Sequence, residues 1–172
     1  GQSLSDPTFS GFVEKELNKY QFPPNCLCFE ITETTAIGDL VRAQNFIADM
    51  RKRQVMFALD DFGTGLSSFA ILKQLDLDYL KIDGCFVRDI CNDSVAETMV
   101  KAIHDVARSM NLSTVGEFVV DLQTRDRLIE IGVDYGQGFA LSEPYPLVEL
   151  IDGLDDLMQR YRLLGTAAAS HG

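Results

Sequence analysis

The sequence predicts an α/β protein built as an incomplete, TIM-like (β/α)8 barrel, and three observations lead to this prediction. Strand and helix patterns alternate, with one strand in roughly every 20–35 residues, as in right-handed βαβ units. The segment 55–59 is continuously apolar, which suits a parallel strand covered on both faces. No Gly-x-Gly-x-x-Gly loop opens a helix, which disfavours a dinucleotide-binding sheet. A complete barrel takes about 250 residues, so a chain of 172 residues is expected to lack the opening strands.

The helices are predicted from apolar residues that recur at helical spacing. The first of them has Phe9, Val13 and Leu17 on one side, and Pro23-Pro24-Asn25 breaks the chain after it. Gly132 is expected to end a later helix, and Pro146 to open the last one. The predicted helices span residues 6–20, 38–53, 67–75, 94–110, 124–131 and 146–164.

The strands are predicted from short runs of β-branched, aromatic and other apolar residues between turn residues. They span residues 27–32, 55–59, 79–82, 112–116 and 135–139. In a barrel, the carboxyl ends of all strands meet at one face. We expect one domain over residues 1–164, followed by a flexible tail of small residues over 165–172.

Composition excludes several classes of function. The net charge of −11 repels phosphodiester backbones, so general nucleic-acid binding is not expected. The four cysteines form no Cys-x-x-Cys pair and there are two histidines, which disfavours a zinc site and predicts buried or partly buried reduced thiols. The first six residues do not have the form of a signal peptide and no apolar run is long enough to span a membrane, so a cytoplasmic location is expected.

Charged and amide side chains stand where the predicted strands end. They are Glu30 with Glu33 a turn later, Asp60 and Asp61, Lys81 and Asp83, Glu117, and Gln137. In a barrel, carboxylates from separate strands would converge on one mouth, and crowded carboxylates need cations among them. Mg²⁺ and Mn²⁺ prefer oxygen ligands, and two such ions about 3.5–4 Å apart can clamp the oxygens of a phosphoryl displacement. A nearby lysine can orient the attacking water or neutralise charge.

Each of these residues also has a purely structural interpretation. Asp61 could cap the turn before residue 67, and Lys81 with Asp83 could form an exposed pair of little energetic weight. For any one residue the structural interpretation is favoured. Because such residues follow four strands in succession, we favour a functional site at this face.

Five segments carry recognisable motifs. They are Phe29-Glu30-Ile31-Thr32-Glu33, Asp60-Asp61-Phe62-Gly63-Thr64-Gly65, Lys81-Ile82-Asp83, Val115-Gly116-Glu117-Phe118-Val119 and Tyr135-Gly136-Gln137-Gly138-Phe139. These segments resemble the E-I-T-E, D-D-F-G-T-G, K-I-D, A-E-x-V-E and Y-x-Q-G-Y motifs of the EAL domain family. Their order and spacing match up to about residue 146. The resemblance implies an EAL-type barrel that opens cyclic di-GMP to linear pGpG with Mg²⁺ or Mn²⁺.

The resemblance also implies a role for each matched residue. Glu30 and Asp60 would bind one metal ion, while Asp60, Asp61 and Glu117 would hold the second. Lys81 would position the attacking water with help from Gln137, and Glu117 belongs to the same catalytic group. Glu33 would brace the D-D-F-G-T-G loop, which lies near the family's dimer contact. A homodimer and regulatory domains upstream in the parent protein are therefore expected, whereas no substrate-binding residue is assigned.

The chain departs from the family pattern at several points. The E-A-L tripeptide and the N-x-S segment, which supply a Glu and an Asn to the metal site, are not among the 172 residues. Val120 stands where the family has the closing Glu of A-E-x-V-E, and Leu66 stands for a Tyr. Glu143 replaces a cation near the expected ligand mouth. We therefore expect little activity from this chain alone.

Three functions compete at this point. The metal ligands that the chain retains favour a cyclic di-GMP phosphodiesterase as the parent protein, whereas Val120 and Glu143 favour a degenerate, non-catalytic domain that binds cyclic di-GMP. A barrel enzyme with other chemistry has only fold analogy behind it. Under each of these functions, the open barrel would expose strand edges. Association with a second copy could protect these edges, and so could residues 146–164 folding over the gap.

Overall fold

The computed structural model describes residues 6, 8–20, 22–63, 69–144 and 146. Within this part of the chain, five strands form one parallel sheet in the order β1-β2-β3-β4-β5. The strands are β1 (Cys28–Thr32), β2 (Met56–Phe62), β3 (Tyr79–Ile82), β4 (Ser113–Gly116) and β5 (Tyr135–Gly136). Each strand pairs with the next one in the sequence, as sequential βα units require, so the α/β prediction is confirmed.

The described helices alternate with these strands. They are α1 (Phe9–Lys19), α2 (Glu33–Gly38), α3 (Leu40–Arg51), α4 (Phe69–Leu72), α5 (Gly84–Val87), α6 (Ser94–Ser109) and α7 (Leu122–Ile131). Asp93 and Asp121 cap α6 and α7, accepting hydrogen bonds from the backbone of Val95 and Thr124. Gly132 ends α7 in the left-handed conformation with φ at 99°, as the sequence predicts.

Several element boundaries differ from the predictions. The helix expected over 38–53 is two helices, which meet at Asp39, because the Asp39 carboxylate caps α3 through the backbone of Arg42. Strand β2 continues to Phe62, so Asp60 and Asp61 lie inside the strand and not after it. Glu30 likewise lies within β1.

The chain after β5 also departs from the prediction. Strand β5 has two residues and not the five expected, because the chain turns at Gly138 to pack against Val119. The short helix α5 was not predicted at all, whereas the predicted helix over 67–75 is described only as α4, its first two residues lying outside the described residues. The predicted last helix, Pro146 apart, and the tail over 165–172 lie outside the described residues as well.

The main core lies between one face of the sheet and the surrounding helices. Phe57, Leu59, Leu80 and Ile82 are fully buried on that face. Phe57 from β2 meets Phe46 from α3 at a centroid distance of 5.9 Å, in an edge-to-face arrangement. Burying this apolar surface supplies the main driving force for folding, at roughly 25 cal/mol per Å². The opposite face of the sheet carries the polar side chains of the predicted site.

The cysteines correct one expectation. Cys26, Cys28 and Cys85 are exposed, and Cys91 is half-buried, so buried thiols are not the rule here. Partial burial still raises the pKa of Cys28 to about 11, with Asp78 and Glu30 adding to the effect. All four are free thiols, and the raised pKa lowers the thiolate fraction of Cys28 at neutral pH.

The chain divides into two units, residues Gly1–Leu141 and Ser142–Gly172. The first holds the sheet and all the helices named above. In the second, the described residues are Ser142, Glu143, Pro144 and Pro146. No helix in the described part of the chain is long and apolar enough to cross a membrane.

Candidate active site

The side chains predicted for the site lie on or just after the five parallel strands. Glu30 lies on β1, Lys81 on β3, and Glu117 and Gln137 directly follow β4 and β5. Strand pairing places these residues at a similar level along the strands. Thr32 on β1 pairs with Asp60 on β2, and Lys81 on β3 pairs with Val115 on β4, two residues before Glu117. Residues two apart on a strand share a face, so these side chains project from the face of the sheet opposite the main core, which we call the inner face.

Lys81 is the centre of this group. Its ammonium nitrogen lies 3.0 Å from Oε2 of Glu30, 2.8 Å from Oδ1 of Asp60 and 2.8 Å from Oε1 of Glu117. The side chain is 6% exposed, whereas that of Glu30 is 51% exposed. Burial alone would lower the pKa of Lys81, but hydrogen bonds to Asp60, Glu117 and Glu30 outweigh burial and hold this pKa above its usual value. Lys81 is therefore a permanent buried cation that gathers carboxylates from three strands.

Asp60, Asp61 and Glu117 form an acidic cluster beside this lysine. One carboxylate oxygen from each lies within 4.8 Å of the others. The Asp60 and Glu117 carboxylates are thus far closer than the limit of about 12 Å expected for a shared two-metal site. Burial raises the pKa of Asp61, with Asp60 and Asp83 adding to the effect, and burial also raises the pKa of Glu117 in spite of Lys81. The three oxygens suit a hard divalent cation.

An irregularity in β2 allows two consecutive carboxylates to join one cluster. On a regular strand the side chains of Asp60 and Asp61 would point to opposite faces. The pairing of β2 with β3 shifts register between Leu59 and Phe62, and Asp61 adopts the left-handed conformation with φ at 56°. Such bulges redirect side chains and are common beside active sites. No local pattern in the sequence predicts this bulge.

Glu33 lies at the start of α2 and is 2% exposed. Its Oε2 accepts a hydrogen bond of 3.1 Å from the backbone of Gly63, at the end of β2. Gly63 has φ at 101°, and a Cβ atom there would lie 2.8 Å from the ring of Phe86. Residues 64–68 of the D-D-F-G-T-G loop lie outside the described residues, so the contact of Glu33 is with the first turn of that loop.

Gln137 lines a cavity of about 290 Å³ on the inner face of the sheet. Glu30 and Lys81 line it as well, and so do Tyr79 and Tyr135, which lie two residues before Lys81 and Gln137 in the sequence. The two tyrosine rings meet at a centroid distance of 5.9 Å with an angle of 70° between their planes. Neither tyrosine was predicted to belong to the site, although each lies two residues before a predicted site residue, and this spacing was the available signal.

Asp83 does not pair with Lys81, so the interpretation of the two as an exposed ion pair is wrong. The Asp83 carboxylate instead accepts a hydrogen bond of 2.7 Å from the backbone of Cys85 and caps α5. A larger cavity of about 500 Å³ lies between the segment before α6 and helix α7. None of the predicted site residues lines it, and its one arginine, Arg127, is paired with Glu97 and Glu130. We therefore place the site at the strand ends.

Comparisons with known proteins bear on this geometry. The family model described as EAL domain matches residues 1–144. The cyclic di-GMP phosphodiesterase PdeB of Shewanella oneidensis is 43% identical over 147 residues, which are 86% of this chain and 17% of that protein. The cyclic di-GMP phosphodiesterase PdeF of Escherichia coli is 33% identical over 157 residues, 91% of this chain and 21% of that protein. The chain thus spans about a fifth of the length of these relatives.

Solved structures show the same likeness. The PaMucR phosphodiesterase in its c-di-GMP complex matches with a TM-score of 0.80 and 32% identity, covering 86% of this chain and 60% of that one. The EAL domain of FimX from Pseudomonas aeruginosa, bound to c-di-GMP, matches with a TM-score of 0.78 and 28% identity, covering 83% of this chain and 59% of that one.

Proposed function

The chain belongs to the EAL domain family, and on that premise we propose that it is part of a metal-dependent phosphodiesterase that hydrolyses cyclic di-GMP to linear pGpG. Membership confirms the family resemblance and the incomplete barrel predicted from the sequence. Because the chain spans only about a fifth of its curated relatives, the activity of the whole protein is part of the proposal.

One observation carries the proposal. The ammonium group of buried Lys81 lies within 3.0 Å of carboxylates from Glu30, Asp60 and Glu117, which come from three separate strand ends. Placing these groups together is costly for folding, because the buried members, Lys81 and Glu117, must leave water. Such an arrangement at the carboxyl ends of barrel strands is typical of a catalytic site.

The acidic cluster fits the metal ions that the family resemblance implies. Asp60, Asp61 and Glu117 would hold one Mg²⁺ or Mn²⁺ ion, while Glu30 and Asp60 would contribute to a second, with Asp60 shared by both. Their carboxylate oxygens are the donors these hard cations prefer. When bound, the ions would supply an acidified water and neutralise charge on the phosphoryl oxygens.

The side chains of this chain would then orient the reactants. Lys81 would hold the attacking water and offset negative charge that develops on the phosphate, and Gln137 would direct the same water from the end of β5. Glu33, bound to Gly63, would hold the end of β2 and with it Asp60 and Asp61. In the proposed reaction the water loses one proton as its oxygen bonds to phosphorus, the bond from phosphorus to one 3′ oxygen breaks, and that oxygen takes a proton.

Several finer points belong to the same proposal. Cyclic di-GMP is the ligand named in both matching structures described above, and it is the proposed substrate. A homodimer, with the loop after β2 near its contact, and regulatory domains elsewhere in the parent protein are proposed from the family resemblance. We place one domain over residues 1–164 with a tail over 165–172, and the site of action in the cytoplasm.

The test is hydrolysis of cyclic di-GMP with Mn²⁺ by two proteins. One is the 172-residue chain, and the other carries the same residues together with the family's E-A-L and N-x-S segments. We expect pGpG from the longer protein, none from its D60N variant, and little from the shorter chain, whose metal site lacks the Glu and Asn ligands of those segments. Tight binding of cyclic di-GMP by the longer protein without any pGpG would instead support the degenerate binding domain.

A further inference from the structure

Two strands of the inner face begin with the same short pattern. Leu77-Asp78-Tyr79-Leu80-Lys81 leads into and along β3, and Val133-Asp134-Tyr135-Gly136-Gln137 leads through β5. In each, an aspartate precedes the strand, a tyrosine lines the cavity, and a side chain of the proposed site follows two residues later. The repetition indicates that the two strands are anchored in the same way.

Each aspartate binds the strand that precedes its own in the sheet. Oδ2 of Asp78 accepts a hydrogen bond of 2.7 Å from the backbone of Phe57 on β2. Oδ2 of Asp134 accepts one of 2.8 Å from the backbone of Thr114 on β4, and a second of 2.9 Å from the Thr114 hydroxyl. Both carboxylates therefore tie the start of one strand to a fixed position on its neighbour.

The hydrogen bonds of Asp134 matter more for β5 than those of Asp78 matter for β3, because only two residues of β5 pair with β4. After the carboxyl end of β5, the backbone N–H of Gln137 donates to the carbonyl of Gly116 at 2.8 Å, and the carbonyl of Gln137 accepts from the backbone N–H of Val119 at 3.0 Å. Before the amino end of β5, the side-chain hydrogen bonds of Asp134 hold the chain to β4. A slip of one residue would turn the side chain of Gln137 to the opposite face of the sheet.

The donors that Asp134 satisfies are themselves buried. Thr114 is fully buried and His104 is 5% exposed. Since the Thr114 hydroxyl donates its hydrogen to Asp134, it accepts from Nδ1 of His104 at 2.9 Å. Removing the Asp134 carboxylate would leave a buried N–H and a buried hydroxyl without their acceptor, which is costly. The relay His104–Thr114–Asp134 thus links α6, β4 and the start of β5.

We propose that Asp134 is a positioning residue that fixes the register of β5 and so places Gln137 at the site, as Asp78 does for Lys81. The proposal depends on the proposed function only for the role of Gln137 in the reaction. The placement itself depends on the hydrogen bonds of Asp134 to Thr114.

The test is hydrogen exchange of the Gln137 amide in the 172-residue chain, compared with the slowest core amides of the same sample. In D134A we expect Gln137 to exchange roughly tenfold faster or more, because the strand opens locally. D134N should restore most of the protection, since an amide oxygen can accept the same two hydrogen bonds from Thr114. T114V, which removes only the hydroxyl, should have a smaller effect than D134A and serves as the test if D134A does not fold.

D121A is the matched control. Asp121 accepts a backbone hydrogen bond from Thr124 at 2.7 Å and caps α7, and among the described residues no hydrogen bond joins it to β5. It should leave the relative exchange of Gln137 unchanged. Equal exchange of Gln137 in D134A and D121A, or no rescue by D134N, would overturn the proposal. Because exchange is measured without metal or substrate, this result is independent of whether the longer protein hydrolyses cyclic di-GMP.

Discussion

The ammonium nitrogen of Lys81 lies 2.8 Å from Oε1 of Glu117, although the two residues come from different strands. Both side chains are buried. Burial alone raises the pKa of Glu117, while Lys81 acts to lower it. The lysine therefore offsets part of the cost of burying Glu117 and holds the two strand ends together before any metal ion binds.

Replacing Lys81 by methionine should destabilise the chain at neutral pH. Three carboxylates would lose their common cation, and breaking a buried charge pair costs about 3 kcal/mol or more. Burial already raises the pKa of Glu117 and Lys81 opposes that rise, so without the lysine this pKa should rise further, and the loss should be greatest at neutral pH and shrink as the pH falls. Urea unfolding of K81M at several pH values measures this. K52M, which affects an exposed pair with Asp49, should change the stability by less than about 0.5 kcal/mol.

Metal binding should depend on Asp61. If Asp60, Asp61 and Glu117 share an ion, D61N should weaken Mn²⁺ binding by about tenfold or more, because loss of even an outer-shell partner costs roughly 10–100-fold. Calorimetric titration of the longer protein with MnCl₂ measures the affinity. D93N, which changes a helix cap of α6 away from the cluster, is the control. Equal affinity in D61N and D93N would remove Asp61 from the ligand set.

Replacing Gly138 by alanine should be strongly destabilising. A Cβ atom at this position would lie 2.3 Å from the backbone nitrogen and oxygen of Val119, and backbone cannot move aside cheaply. We expect a loss of more than about 2 kcal/mol. G11A is the matched substitution, because nothing lies within 4 Å of its new methyl group and alanine is favoured in a helix by roughly 0.5–1 kcal/mol. A lower midpoint temperature of unfolding for G11A than for G138A would contradict the packing described for this turn.

The pH dependence of stability should report on Asp134. Burial tends to raise its pKa, but hydrogen bonds from Thr114, together with the charges of His104 and Arg108 on α6, leave it below the ordinary value. The stabilisation is therefore present above the unfolded pKa, about 3.9, and is lost as pH falls through the lower folded pKa. Because Asp134 is exposed, D134N should lose only about 0.5–1 kcal/mol at pH 6. A difference in the free energy of unfolding between wild type and D134N that did not narrow by about pH 2 to 3 would contradict this.

The isolated 172-residue chain should self-associate. Among the described residues, β1 pairs only with β2 and β5 only with β4, so each has an open edge, and Tyr135 beside the inner cavity is 55% exposed. Exposed strand edges and apolar surface favour pairing with a second copy. Light scattering at increasing concentration measures the assembly. A monomer at high concentration that binds no hydrophobic dye would favour cover of the open face within the chain.

Much of the fold was accessible from local pattern. The apolar run before Asp60 predicted strand β2, and Gly132 marked the end of α7 as predicted. The same patterns were poorer guides to where elements stop. The capping of α3 by Asp39 and the early end of β5 depend on side-chain and backbone contacts that periodicity does not encode.

The sequence by itself determined that the chain belongs to a parallel βα architecture and which residues stand at its strand ends, because hydrophobic period and motif spacing are local properties. Only the tertiary structure decided how those residues meet. The bulge in β2 brings Asp60 and Asp61 into one cluster. Lys81 forms ion pairs with Glu30, Asp60 and Glu117 and not with the nearby Asp83. These contacts join residues up to 51 positions apart, such as Lys81 and Glu30. They follow from strand register and packing, which form only when the whole sheet is assembled.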